Sequence, residues 1–248
     1  ALVLTGFPIT KYRNFWKGFE DHTFREATSC IEYEILVGAG SLTKPFVEEM
    51  IKIFDRGLRT LTGVESEHPM PESPVHTPLL EQDRRHSVGM MRVNHTGEIC
   101  AQALYDGQML TAKTTNLKEM LLRASEEEQK HLSWCRKRLQ ELGASPSILD
   151  SGFYVGSYAI GVFVGLLGDR ASLGFVAATE EQVIAHLDKH LVNLQSDQRS
   201  AAIILQMRAD EQQHGTEAIR SGGTQYPQGI KRLMTFVSKV MTKTSFWI

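Results

Sequence analysis

Residues 117–142, LKEMLLRASEEEQKHLSWCRKRLQEL, step through Leu117, Leu121, Ala124, Glu128, His131, Cys135, Leu139 and Leu142 at intervals of three and four. That spacing collects side chains on one face of a helix. The face is apolar except at Glu128 and His131, which stand where core leucines are expected. About 0.7 Glu-x-x-His matches arise by chance in a chain of this composition, so one tetrad decides nothing. A second, Glu211-Gln-Gln-His214, lies on the face Ser200, Ile204, Met207, Glu211, His214 and Ala218 and points inward in the same way. A third, Glu65-Ser-Glu-His68, is followed by Pro69, Pro71, Pro74 and Pro78; prolines exclude a helix there, and it reads as a loop.

Each of the two helical tetrads follows a lone glutamate, Glu98 by 30 residues and Glu180 by 31. Glu98 shares a face with Val88, Met91, His95, Gln102, Tyr105 and Met109, and Glu180 shares one with Leu173, Val176, Val183, Leu187 and Leu194. Four helices therefore each carry glutamate on the buried side. One Glu from each of two helices, with Glu-x-x-His from the other two, is the ligand set of a dinuclear metal site inside a four-helix bundle. Four converging carboxylates require positive charge, because a buried carboxylate otherwise neutralises or finds a partner. Mixed oxygen and nitrogen donors favour iron or manganese over a structural zinc, and iron is the ion that makes buried carboxylate useful to oxygen chemistry. The competing reading, a solvated surface run, holds for Glu126. Glu127 and Glu181 turn about 100° from the neighbouring ligand and read as exposed or as flanking the site. Asp210 reads either as an acceptor for a ligand imidazole or as a surface residue.

The stretch Met91-Arg92-Val93-Asn94-His95-Thr96-Gly97-Glu98, with Glu128 and His131, Glu180 within Ala178-Thr179-Glu180-Glu181-Gln182, and Asp210-Glu211 with His214, resembles the demethoxyubiquinone hydroxylase family, especially its proteobacterial branch. The resemblance runs from about Lys44 to Met241-Thr242-Lys243-Thr244. It implies an all-α, ferritin-like four-helix bundle holding two iron ions on Glu98, Glu128, His131, Glu180, Glu211 and His214. It also implies that His186 is a candidate for proton or electron transfer near the site. The position after it, often Tyr in animal relatives, is Leu187, so no phenol role carries over. The implied reaction is a monooxygenation of a demethoxyubiquinol, a polyprenyl benzoquinol, by O2 in ubiquinone biosynthesis. Electrons are expected from NADH or a reductase, and the chain has no Gly-x-Gly-x-x-Gly after a strand to bind a dinucleotide. A peripheral position on the cytoplasmic face of the inner membrane and a lipid-presenting partner protein are further expectations. The alternative is a ferritin-like protein that oxidises or stores iron with the same six ligands.

Such a substrate calls for an apolar surface. Residues 152–168, GFYVGSYAIGVFVGLLG, are free of charge and end at Asp169-Arg170. They fall short of the ~20 residues of a spanning helix, and read either as a helix at the membrane interface roofing a quinone channel or as a core helix linking the two halves. With 42% hydrophobic and 23% charged residues and a formal charge of −2, the composition is that of a soluble or peripheral globular protein. Basic residues are scattered among acids, which gives no one-signed field for nucleic acid. Cys30, Cys100 and Cys135 form no short motif and point to a reducing compartment.

The expected organisation is an upstream extension over 1–43 that reads as poorly ordered, artefactual or part of a trimmed precursor, a helix and Pro-rich linker over 44–76, and a di-iron domain over 77–248. Helices are expected near Pro45–Leu61, from Thr77-Pro78 to Thr111, Asn116–Leu142, Ala171–Leu194, Asp197–Ser221 and Tyr226–Met241. The last is an extra C-terminal helix.

Overall fold

A computed structural model describes residues 44–63, 68–73 and 78–248. The expected N-terminal extension and most of the Pro-rich linker, including Glu65 and Cys30, lie outside the described residues. Contacts divide the chain into Ala1–Lys52 and Ile53–Ile248. The helices are α1 (Lys44–Thr62), α2 (Glu81–Thr111), α3 (Thr115–Glu141), α4 (Asp150–Leu166), α5 (Asp169–Asn193), α6 (Gln198–Arg220) and α7 (Gln228–Ser245), and no strand occurs among the described residues. The first unit contributes the opening turns of α1.

Within Ile53–Ile248, α2 pairs with α3 and α5 with α6, while α3 also meets α6. These four are the bundle of a ferritin-like fold, and α4 is the crossover between its halves. Local chemistry sets the helix ends. The Thr114 side chain accepts from the Leu117 N–H and the Asp197 side chain from the Ser200 N–H, as capping residues do. Gly143 closes α3 in the left-handed region at φ 70°, a conformation that side chains other than glycine resist. Helix α2 starts at Glu81 rather than at Thr77-Pro78: Leu80 is extended, and Glu81 pairs with Arg84 and Arg85 in the first turn, where acidic charge suits the helix dipole. Helix α7 continues past Met241 to Ser245 because the chain end is anchored, with Phe246 lying over Gly89 and its carbonyl accepting from Arg92.

The core has two apolar layers. Met90, Met91, Trp134, Cys135, Leu139, Leu187, Ile204 and Met207 belong to one. Tyr105, Met109, Leu117, Leu121, Ala124, Leu173, Val176 and Ala218 belong to the other. On every bundle helix the candidate ligands fall between a residue of one layer and a residue of the other, as Glu98 does between Met91 and Tyr105.

Helix α4 packs closely on α2. A methyl group at Gly161 would stand 2.3 Å from the Leu104 carbonyl oxygen, and one at Gly107 would stand 2.4 Å from that of Tyr158. The inner side of α4 is thereby core, whereas Val155, Phe163, Leu166 and Leu167 on and just past it are exposed. The packed inner face is that of a core helix linking the two halves, and the outer face is apolar and exposed. Among the described residues no helix is long and apolar enough to cross a membrane. Gly161→Ala is expected to lower the thermal midpoint, since overpacking costs about 1–3 kcal/mol against a helix-propensity gain of ~1 kcal/mol. Gly156→Ala, which meets nothing within 4 Å, is expected to raise it; circular dichroism melts of the two variants read this reversal of sign.

Candidate metal centre

Between the apolar layers, six side chains from four helices converge. Glu98 comes from α2, Glu128 and His131 from α3, Glu180 from α5, and Glu211 and His214 from α6. None is more than 7% exposed. They form two overlapping sets, Glu98–Glu128–His131–Glu211 and Glu128–Glu180–Glu211–His214, and within each set one ligand atom per residue lies within 4.8 Å of all the others. Glu128 and Glu211 belong to both sets, so two ions would share them, with Glu98 and His131 at one end and Glu180 and His214 at the other. This division of roles could not be read from residue spacing.

Both imidazoles turn Nδ1 inward. His131 Nδ1 is 3.2 Å from Glu128 and 3.4 Å from Glu211, while His214 Nδ1 is 3.2 Å from Glu211 and 3.5 Å from Glu128. Their outer nitrogens are held crosswise. His131 Nε2 lies 2.9 Å from Asp210, the residue before Glu211, and His214 Nε2 lies 2.6 Å from Glu127, the residue before Glu128. A carboxylate on the far nitrogen fixes the tautomer and raises the basicity of a ligating histidine. Asp210 is thus the imidazole acceptor of its two readings, and Glu127 flanks the site. Glu126 is exposed, and Glu181 is exposed and paired with Lys231.

Two functional contacts went unread in the sequence. Tyr105, on the same face of α2 as Glu98, donates its hydroxyl to Glu180 Oε1 at 2.6 Å. Asp150, at the start of α4, accepts from Thr96 at 2.7 Å and lies 3.0 Å from His95, so the segment before Glu98 ties α2 to the crossover helix. The only available signal for Glu127 was its place in the repeat, one residue before a ligand as Asp210 is. His186 stands outside both ligand sets, and its ring lies 4.0 Å from that of His190.

The charges of the layer fit two cations. Burial pushes Glu98 and Glu180 well above the usual carboxylate range, Glu98 further by Glu128 and Glu180 further by Glu211 and Glu128. Burial opposes ionisation of Glu128 too, yet hydrogen bonds from Glu98, His131 and His214 hold it well below that range. Burial would lower both histidines, but hydrogen bonds to Asp210, Glu128, Glu211 and Glu98 raise His131 well above its ordinary value, and those to Glu128 and Glu211 push His214 up to about 12. Protons therefore occupy this layer in the absence of metal. Glu128 is shared by both sets, and its buried Oε1 has no well-formed hydrogen bond, the nearest nitrogen being His214 Nδ1 at 3.5 Å, an underused acceptor of the kind a bound ion explains. The donor set fits a pair of ions that take both oxygen and imidazole ligands.

The chain matches the family described as Ubiquinone biosynthesis protein COQ7 over residues 85–245. It is 48% identical over 198 residues to the 3-demethoxyubiquinol 3-hydroxylase of Pseudomonas aeruginosa, covering 78% of this chain and 92% of the relative. The identity is also 48% with the proteins of that name from Paraburkholderia phytofirmans, over 211 residues (82% and 100%), and from Burkholderia multivorans, over 207 residues (82% and 99%).

Metal must displace the protons held on His131, His214, Glu98 and Glu180, whose pKa values are all raised in the metal-free fold. Affinity for Fe2+ or Co2+ is therefore expected to climb with pH between about 5 and 8, with protons released on binding. Calorimetric titration in buffers of different ionisation enthalpy measures that release, and an affinity indifferent to pH would contradict a protonated layer.

Proposed function

The chain belongs to the family of the ubiquinone biosynthesis protein COQ7, and from that premise we propose a di-iron monooxygenase that hydroxylates the ring of a demethoxyubiquinol, a polyprenyl benzoquinol, using O2. The observation that carries this reading is the pair of overlapping ligand sets sharing Glu128 and Glu211. A binding or scaffolding protein has no need of four buried glutamates in one layer. We assign iron because four carboxylates and two imidazoles suit it and because hydroxylation by O2 needs a redox-active ion. When bound, the iron supplies the redox chemistry that divides dioxygen, one atom going to the quinol ring and the other to water.

The protein's own groups prepare that chemistry. Glu98, Glu128, His131, Glu180, Glu211 and His214 hold the metals, and the apolar layers above and below keep bulk water from them. Asp210 and Glu127 orient the two imidazoles. The Tyr105 hydroxyl occupies one oxygen of Glu180, which restricts how that carboxylate can turn. Electrons come from NADH or from a separate reductase.

The membrane reading rests on exposed apolar surface. Helix α7 presents Leu233, Phe236, Val237 and Val240 to solvent beside Lys231, Arg232, Lys239 and Lys243, the pattern of a basic amphipathic helix that lies on an anionic lipid surface. The outer side of α4 adds Val155, Phe163 and Leu166. We place the protein peripherally on the cytoplasmic face of the inner membrane, where its quinol dissolves, with a lipid-presenting protein delivering the substrate.

Glu128→Ala or Glu211→Ala is expected to abolish hydroxylation while the far-ultraviolet dichroism stays helical. The assay incubates iron-loaded protein with a demethoxyquinol, O2 and NADH and follows the mass gain of one oxygen; wild-type turnover in either variant would overturn the site. Leu233→Glu combined with Phe236→Glu is expected to reduce co-sedimentation with anionic vesicles, and undiminished binding would remove α7 from the membrane reading.

A further inference from the structure

The two halves of the ligand set correspond residue for residue, but the surroundings of their lone glutamates differ. Glu98 and Glu180 open the halves, and the braces Glu127 and Asp210 stand one residue before Glu128 and Glu211. Seven residues after Glu98 is Tyr105, whose hydroxyl crosses to Glu180 Oε1 at 2.6 Å, the length of a strong bond from a hydroxyl to a carboxylate. Seven residues after Glu180 is Leu187, which is also buried. Leucine has no group with which to return the bond to Glu98. Among the described residues no hydrogen bond reaches Glu98 from outside the six ligands, its polar contacts being with Glu128 and His131. The stem of Glu180 is confined as well, because α6 passes so close that a methyl group at Gly215 would stand 3.3 Å from Glu180 Cβ.

We propose that Tyr105 makes the two metal positions inequivalent, fixing Glu180 at the His214 end while Glu98 at the His131 end stays free to turn. The inference rests on the di-metal reading of the site and adds Tyr105 to it as a positioning residue. A carboxylate oxygen engaged in a short hydrogen bond is less free to chelate, so Glu180 offers a cation chiefly its other oxygen. Glu98, contacted only by other ligands, can present one oxygen or both. The end with the adaptable carboxylate is the one able to open a place for an incoming oxygen donor. The Tyr105 end is the fixed anchor.

The test titrates Co2+ into the metal-free full chain and follows its visible absorption, which reports the coordination of each ion. Wild-type protein is expected to take up two equivalents in two steps with different spectra. Tyr105→Phe is expected to weaken one step about tenfold and to change its spectrum while the other step stays as it was. Histidine deletions assign the step: the effect of Tyr105→Phe should persist beside His131→Ala, which spares the Glu180 end, and vanish beside His214→Ala. Thermal melts of the metal-free proteins check their folds, and Tyr105→Leu, which copies position 187, is expected to behave as Tyr105→Phe does. Two identical wild-type steps, a Tyr105→Phe titration that shifts neither step or both equally, or an effect that survives His214→Ala would overturn the inference while two ions still bind. Uptake of fewer than two ions by the wild type would overturn the di-metal reading, and the inference with it.

Discussion

Ionised carboxylates crowded into a water-free layer repel one another and lose their hydration, and this molecule brings four of them together with two imidazoles. Without metal the layer is tolerable only because protons stay on Glu98 and Glu180 and on both histidines. Everything around the layer serves its neutralisation. Each of the four helices must present its acidic residue at the same depth, so their relative heights are set by the ligands as well as by apolar packing. The two hydrophobic layers supply the burial that makes divalent cations preferable to protons as counter-charge.

The crosswise support of the imidazoles adds a second constraint. Asp210 braces the histidine of α3, and Glu127 braces that of α6. Each brace sits one residue before a glutamate shared by both ligand sets. Rotating either helix about its axis would move the shared carboxylate and the brace of the opposite imidazole together. The helix pair α3–α6 is thereby specified by polar geometry, although these two helices share less contact than the hairpin pairs α2–α3 and α5–α6.

The helices and the inward direction of the ligands were legible in the sequence because both obey the period of 3.6 residues. Glu128 and Glu211 interrupt apolar stripes that are otherwise complete, and Gly143 marks a helix end through its positive φ. Contacts made across helices were not legible. Tyr105 sits on a stripe like any core aromatic, and only the placement of α5 reveals that its hydroxyl meets Glu180. Glu127 turns away from its own site on α3 and reaches the imidazole of α6 instead. Helix α2 begins later than the proline suggested because Glu81, with arginines three and four residues on, makes the better first turn.

The interlocked repeat has a consequence for how such a protein can exist at all. Residues 81–141 and 169–220 look like two copies of one hairpin, yet neither copy owns a complete cage. One half would bring Glu98, Glu128 and His131 but lack Glu211 and the aspartate that aims the ring. Neither ion site exists until both hairpins are in place, so the two halves depend on each other for their metal chemistry, and the α4 crossover keeps them in one chain.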